Sequence, residues 1–190
     1  MSRITDKEFE SIKMIYHNVI MAYSDHEYLS VYKLDMIKAA FIDQNQTFFK
    51  RIKYYLFHFT IVELYKVFHI PETYSLNKFI NYELKELPES KPERKELVLL
   101  KNELNSNKTK EVLKKTKTIR LKFSAHLDSN RDNFENYTIL ISEIEYMFNI
   151  LGKFVQIFNR LIKNEEYINP ITKEIFGYKL HTQFAKSIFK

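Results

Sequence analysis

This chain predicts an all-α fold: a bundle of five to six mostly long antiparallel helices. Three observations carry the prediction. Among 190 residues there are only two glycines and four prolines, too few for a fold rich in hairpins and tight turns. Apolar residues recur at spacings of three, four and seven over long stretches, the period of a helix with one buried side. Helix-starting signals precede several of these stretches. Apolar residues make up 45% and aromatics 15%, which argues against global disorder. We expect residues 1–164 to form one domain, with 165–190 a tail packed on it.

The first helix is expected to start at Thr5. "TDKE" is a capping box, in which the Thr5 hydroxyl takes a free backbone N–H and Glu8 reaches back. Phe9, Ile12, Tyr16, Val19, Ile20 and Tyr23 follow as one apolar stripe, and "SDHEYLS" is read as a bend. A long second helix is expected from about Lys33 to His69, stopped by Pro71. Phe41, Phe48, Ile52, Tyr55, Phe59 and Val62 recur in it at three, four or seven residues, which is helical spacing. A short third helix begins at Ser75. "ELPESKPE" is a loop, with Ser90 and Glu93 as a second capping box and Pro92 in the first turn.

A polar helix then runs to about Asn105, and another from about Lys108 to His126. "LDSNRDNFE" is a turn, with Asp132 and Glu135 capping a helix over 135–163. That helix has the strongest pattern. Tyr137, Leu140, Ile141, Ile144, Met147, Phe148, Leu151, Phe154, Val155, Phe158, Leu161 and Ile162 share one stripe. Ile139, Tyr146, Ile150 and Ile157 lie opposite. A helix apolar on both sides is either central in its bundle or shared with a second subunit, and the sequence reading favours the second. The tail is expected to close in a short helix around Tyr178–Ile188.

Several chemistries are excluded. There is no cysteine, so there is no disulfide, cysteine-bound zinc or thiol nucleophile. Gly152 and Gly177 are too far apart for a phosphate-cradling loop or a serine-hydrolase elbow. His17, His26, His58, His69, His126 and His181 include no pair three or four apart, so no helical metal pair is visible and no metal or cofactor is expected. His58, inside an aromatic helix, reads as a hydrogen-bonded core residue. No segment approaches the ~20 apolar residues of a membrane span and no signal peptide is visible. The expected location is the cytoplasm, without membrane partners.

The net charge is +6, which suits a polyanionic partner such as nucleic acid. Charge concentrates in one place. Lys108, Lys110, Lys114, Lys115, Lys117, Arg120 and Lys122 place seven cations within 15 residues, with Glu111 the one acid among them. Lys108, Lys115 and Lys122, seven apart, line one face. This is either a solvated face or a ridge that tracks phosphates, with Lys108, Lys114, Lys115 and Lys117 as its RNA contacts. Just beyond lie His126 and Asp128. Arg120 and His126 are offset by roughly 120° and about 9 Å along a straight helix. They converge only if the helix end loosens or a second copy completes the site. An ion-pair cluster at a helix end, with His126 complementing the helix dipole, is the competing structural reading.

The run "R-L-K-F-S-A-H-L-D" resembles the motif of the HEPN superfamily of helical-bundle ribonucleases and nucleotide-binding proteins, in its abortive-infection, antiphage branch. The order of helices over about residues 5–163 is compatible with it. The resemblance implies a metal-independent endoribonuclease of a toxin–antitoxin or antiviral defence system, usually a homodimer with two motifs facing across a cleft. Arg120 and His126 match the two motif positions, as phosphate-binding and acid–base groups. Lys122 and Asp128 are supporting candidates, by added charge and by orienting the imidazole. Leu121 stands where the family often has asparagine or aspartate. The alternative is a non-catalytic helical module that binds a partner protein, a nucleotide or RNA through the same groove.

Overall fold

A computed structural model describes residues 4–31, 43–69, 75–124 and 139–163, the side chains of 27–31, 43–50 and 122–124 excepted. Among the described residues there are six helices and no strand: α1 Asp6–Val31, α2 Asp43–Phe68, α3 Leu76–Glu86, α4 Pro92–Leu104, α5 Asn107–Ser124 and α6 Ile141–Lys163. The fold class is all-α, as the glycine-poor, helix-periodic sequence predicts. The expected tail packing and tail helix lie outside the described residues.

α1 starts as its sequence dictates. The Thr5 N–H and hydroxyl both donate to Glu8 Oε2 at 2.8 Å, and the Glu8 N–H donates to the Thr5 hydroxyl at 3.2 Å. The six residues of its predicted stripe are all buried. "SDHEYLS" does not bend: the helix runs on to Val31. The reason is tertiary. His26 packs against Phe57 of α2 at 5.4 Å and Tyr23 edge-on against Phe148 of α6 at 5.2 Å, so the polar end of α1 is held between two helices.

The Thr5–Glu8 box sets an acid limb for stability. The Thr5 backbone N–H, and after it the hydroxyl, hold the Glu8 carboxyl below its ordinary value. Its contribution is therefore present above the unfolded glutamate value, about 4.3, and fades as pH falls through the lower folded value. Thr5→Ala should cost about 0.5–2 kcal/mol at neutral pH, and its urea midpoint should fall less between pH 5 and 3 than the wild-type midpoint does. A parallel fall in both proteins would remove the box from the account.

The described part of α2 begins at Asp43; the expected start near Lys33 and Phe41 of its stripe lie outside the described residues. The helix ends where predicted, with the His69 N–H on the Tyr65 carbonyl at 2.9 Å. Its core side is not the one that carries the Ile52–Val62 repeat. Ile61, Leu64, Tyr65, Val67 and Phe68 are buried, while Ile52 and Val62 are half-buried and Tyr55 and Phe59 face water. Both stripes have helical spacing, and the choice between them was made by packing against α1 and α5. His58 is a core histidine, with Nδ1 2.8 Å from the Tyr54 carbonyl.

Ser75 caps α3, as expected, though through its carbonyl rather than its hydroxyl. The second capping box is absent. Pro92 is the first residue of α4 and Lys91 its cap, so Ser90 lies one residue too early. Proline disfavours helical angles in the residue before it; Lys91 is accordingly extended, at ψ 128°. Arg94 does the local stapling instead. Its Nη1 donates to the Leu87 carbonyl at 2.6 Å and also to the Leu84 carbonyl, tying the end of α3 to the start of α4.

α6 starts at Ile141, not at 135, and Ile139 and Leu140 precede it without helical structure; the expected caps Asp132 and Glu135 lie outside the described residues. The Glu143 carboxylate reaches back to the Leu140 N–H at 2.8 Å and fixes the start there. α6 is the centre of the bundle, and the expectation of a face shared with another subunit is corrected. Ile150 and Ile157 are buried like the first stripe, and Ile139 and Tyr146 pack on the same core. Leu140 and Ile141, at the helix start, are instead exposed. α1 lies antiparallel along one side of α6, with Phe9 near Phe158 and Glu10 paired to Lys163 at 2.9 Å. α4 lies antiparallel along another, with Glu103 on Lys153 at 2.7 Å and Glu96 on Arg160. α5 packs on α2, and α3 on α4. No helix among the described residues is long and apolar enough to cross a membrane.

Candidate functional site

The site is built on α5, and the inward residues of that helix decide where its cations point. Thr109, Val112, Thr116 and Ile119, at spacings of three and four, are buried. The two threonines are satisfied locally. The Thr109 hydroxyl donates to the Glu103 carbonyl at 2.6 Å and so accepts from the Tyr146 hydroxyl at 3.0 Å; the Thr116 hydroxyl donates to the Leu113 carbonyl at 3.0 Å. Ser106 caps the helix by accepting the Thr109 N–H at 3.2 Å. Lys108, Lys110, Lys114, Lys115 and Lys117 thereby lie off its inner face.

Of the row of lysines seven apart, Lys108 is exposed and Lys115 half-buried, and the Lys122 side chain is not among those described. Lys115 donates to Glu143 Oε1 at 2.6 Å, and the Lys108 ammonium sits 4.1 Å above the Tyr146 ring, so both turn toward α6. Burial pushes the Glu143 carboxyl up, but the hydrogen bonds from Lys115 and the Leu140 N–H outweigh it and leave the group below its ordinary value. Glu143 thus clamps the start of α6 to the middle of α5. The outward row is Lys110, Lys114, Lys117 and Leu121, at spacings of four, three and four, all exposed. Lys110 belongs with Lys114 and Lys117 here, an assignment that needs the inner face to be known first.

Arg120 stands beside that row and is half-buried. Its guanidinium carbon lies 4.9 Å from the centre of the Tyr65 ring, a cation–π contact with α2. The Tyr65 ring in turn stacks on His69 at 4.6 Å and 24°. The Tyr65 ring thus contacts both the guanidinium and the imidazole where α5 packs on the end of α2. Sequence reasoning missed Tyr65 and His69. Their only local signal was an aromatic–imidazole pair four apart in the last turn of a helix.

Lys122 lies on the last turn of α5, and its side chain is among those not described. His126 and Asp128 lie outside the described residues, so the pairing of Arg120 with either is not part of this geometry. Among the described residues, no three histidine, aspartate or glutamate side chains gather as a metal site requires. The arrangement offers a polyanion three exposed ammonium groups along the outward row of one helix, and beside them a guanidinium placed over a ring. No family model, no curated protein and no solved structure matches the chain.

Proposed function

We propose that this protein is an RNA-binding helical bundle that cuts its substrate without a metal ion, as an HEPN-like endoribonuclease of a toxin or antiphage system. The observation that supports this reading best is the position of Arg120. It is immobilised on Tyr65 at the end of the exposed Lys110, Lys114 and Lys117 row. The lysines neutralise successive phosphates of the strand. Arg120 grips two oxygens of one phosphate, which a planar guanidinium does and an ammonium does not. His126 serves as acid–base group. The substrate's own 2′-oxygen attacks the adjacent phosphorus, losing its proton to a base, and the 5′-oxygen leaves with a proton from an acid. DNA, which has no 2′-hydroxyl, is spared. Lys122 adds charge and Asp128 orients the imidazole. In this reading the protein acts in the cytoplasm as a homodimer that brings two motifs together, and an antitoxin holds it inactive.

A second reading has one observation in its favour. Leu121 is 57% exposed at the position after Arg120, where the HEPN motif often carries a polar residue. An apolar outward side chain there suits a module that binds RNA, a nucleotide or a partner protein and cuts nothing.

The purified protein incubated with total RNA in EDTA distinguishes the two. Degradation is the expected result, and RNA that stays intact removes the cleavage reading for the RNAs present. Binding without cleavage supports the module. Under either reading, Lys114→Ala with Lys117→Ala should weaken RNA binding and reduce the slope of log affinity against log salt by about 1–2. An unchanged slope would take these two lysines off the RNA.

A further inference from the structure

We propose that the exposed face of α2 stacks the bases of single-stranded RNA, continuing the strand's path away from Arg120. The proposal rests on the RNA-binding part of the reading above and not on cleavage.

The face is the apolar stripe that packing left outside. Tyr55 is 56% exposed and Phe59 43%, while the aliphatic residues of the same stripe, Ile52 and Val62, are half-buried against the molecule. What the face offers is therefore two rings standing above a recessed aliphatic floor. They are four positions apart, about 6 Å of axial rise on one side of the helix. Cations stand at both ends of the same side: Arg51 one turn before Tyr55, and Lys66 one turn after Val62, both exposed. Lys66 is paired with Glu63 in a half-exposed ion pair; such surface pairs are weak, so a phosphate can take the ammonium in exchange. From Arg51 to Lys66 the order is cation, ring, ring, cation over about 22 Å.

That order matches a flexible polyanion with flat apolar bases better than it matches a second helix. Self-pairing of two helices is driven by aliphatic side chains interlocking at the seam, and here those side chains recede. Stacking on a ring tolerates any base, because every base has a π-face, and the flanking cations take the phosphates. The face is also continuous with the site. Tyr65, which carries Arg120, lies three residues after Val62 and only about 60° round the helix from it. Tyr65 itself is buried, so it is the half-buried Arg120 resting on it that borders the ring-bearing face.

The test uses the full chain and a fluorescent 12-nucleotide oligouridine with 2′-O-methyl groups. This strand lacks the attacking hydroxyl, so binding is read apart from cleavage. Anisotropy titrations at several salt concentrations should show Tyr55→Ala and Phe59→Ala each weakening binding by about 5- to 150-fold, the range for loss of one stacked base. The salt slope should not change, because no phosphate contact is lost. Tyr55→Phe should bind as wild type does, and an abasic strand of equal length should bind wild type and Phe59→Ala alike. Full affinity in both alanine variants, or an abasic strand bound as tightly as oligouridine, overturns the proposal. So does a wild-type protein that binds no oligouridine. Sedimentation of wild type as a dimer that Tyr55→Ala and Phe59→Ala convert to monomers also overturns it, by giving the face to a second copy. Failure of the EDTA assay with oligouridine binding intact removes cleavage and leaves the stacking face standing.

Discussion

Truncating Ile150 to alanine is expected to cost the fold about 2–5 kcal/mol, and to do so equally at every protein concentration. Ile150 is 0% exposed on the central helix, on the side opposite the Ile144–Phe158 stripe. Removing three carbons from a site enclosed by packed helices leaves a cavity that large neighbouring side chains fill only in part. The concentration test separates two structures. A face shared between subunits would lose dimer stability, and the effect would grow on dilution. A face inside one bundle gives the same urea midpoint at 1 and 50 μM. Leu99→Ala is the control: that residue is 68% exposed on α4, and its loss should stay within about 0.5 kcal/mol. An Ile150→Ala protein as stable as wild type, or one whose midpoint moves with dilution, would return α6 to a subunit interface.

The local parts of the fold were legible because their causes are local. Thr5 and Glu8 are three apart, and no distant residue is needed for them to close a helix end. The stripe of α1 was legible because that helix has only one apolar side. The covered side of α2 and the place of α6 were not legible, for a common reason. Periodicity shows which residues share a side and says nothing about what covers it. α2 carries two candidate stripes, and the one richer in isolated large rings was left in water. α6 carries two as well, and the bundle closed around both. Ser90 was misread at shorter range, because a capping pattern was weighed without the restriction Pro92 places on Lys91.

The site was legible in outline. The density of lysines on α5 marked the helix, but the inner threonines decide which lysines are outward, and a threonine pattern reads as polar surface. Tyr65 holds Arg120 across a long stretch of sequence, and contacts of that kind leave no mark in spacing. Lys115 and Glu143 are the same case, with an acid that the sequence reading did not connect to the basic helix.

His126→Ala should lower RNA cleavage by about 10²–10⁴-fold, the usual contribution of one positioned acid–base group, while oligouridine binding and helicity stay as in wild type. Arg120→Lys should behave differently. The charge remains, but the planar fork that grips two phosphate oxygens is lost, and the guanidinium's contact with the Tyr65 ring changes with it. Cleavage should fall on the order of 10²–10³-fold, as when one transition-state donor is removed, and binding should weaken only modestly because one positive charge is kept. The two variants thus separate a proton-transfer role from a phosphate-holding role. An Arg120→Lys protein that cuts at the wild-type rate makes Arg120 a packing residue whose work is to pin α5 on α2. A His126→Ala protein that still cuts moves the proton role elsewhere. His69 is then the histidine to replace next, because its ring stacks on the Tyr65 ring that carries Arg120.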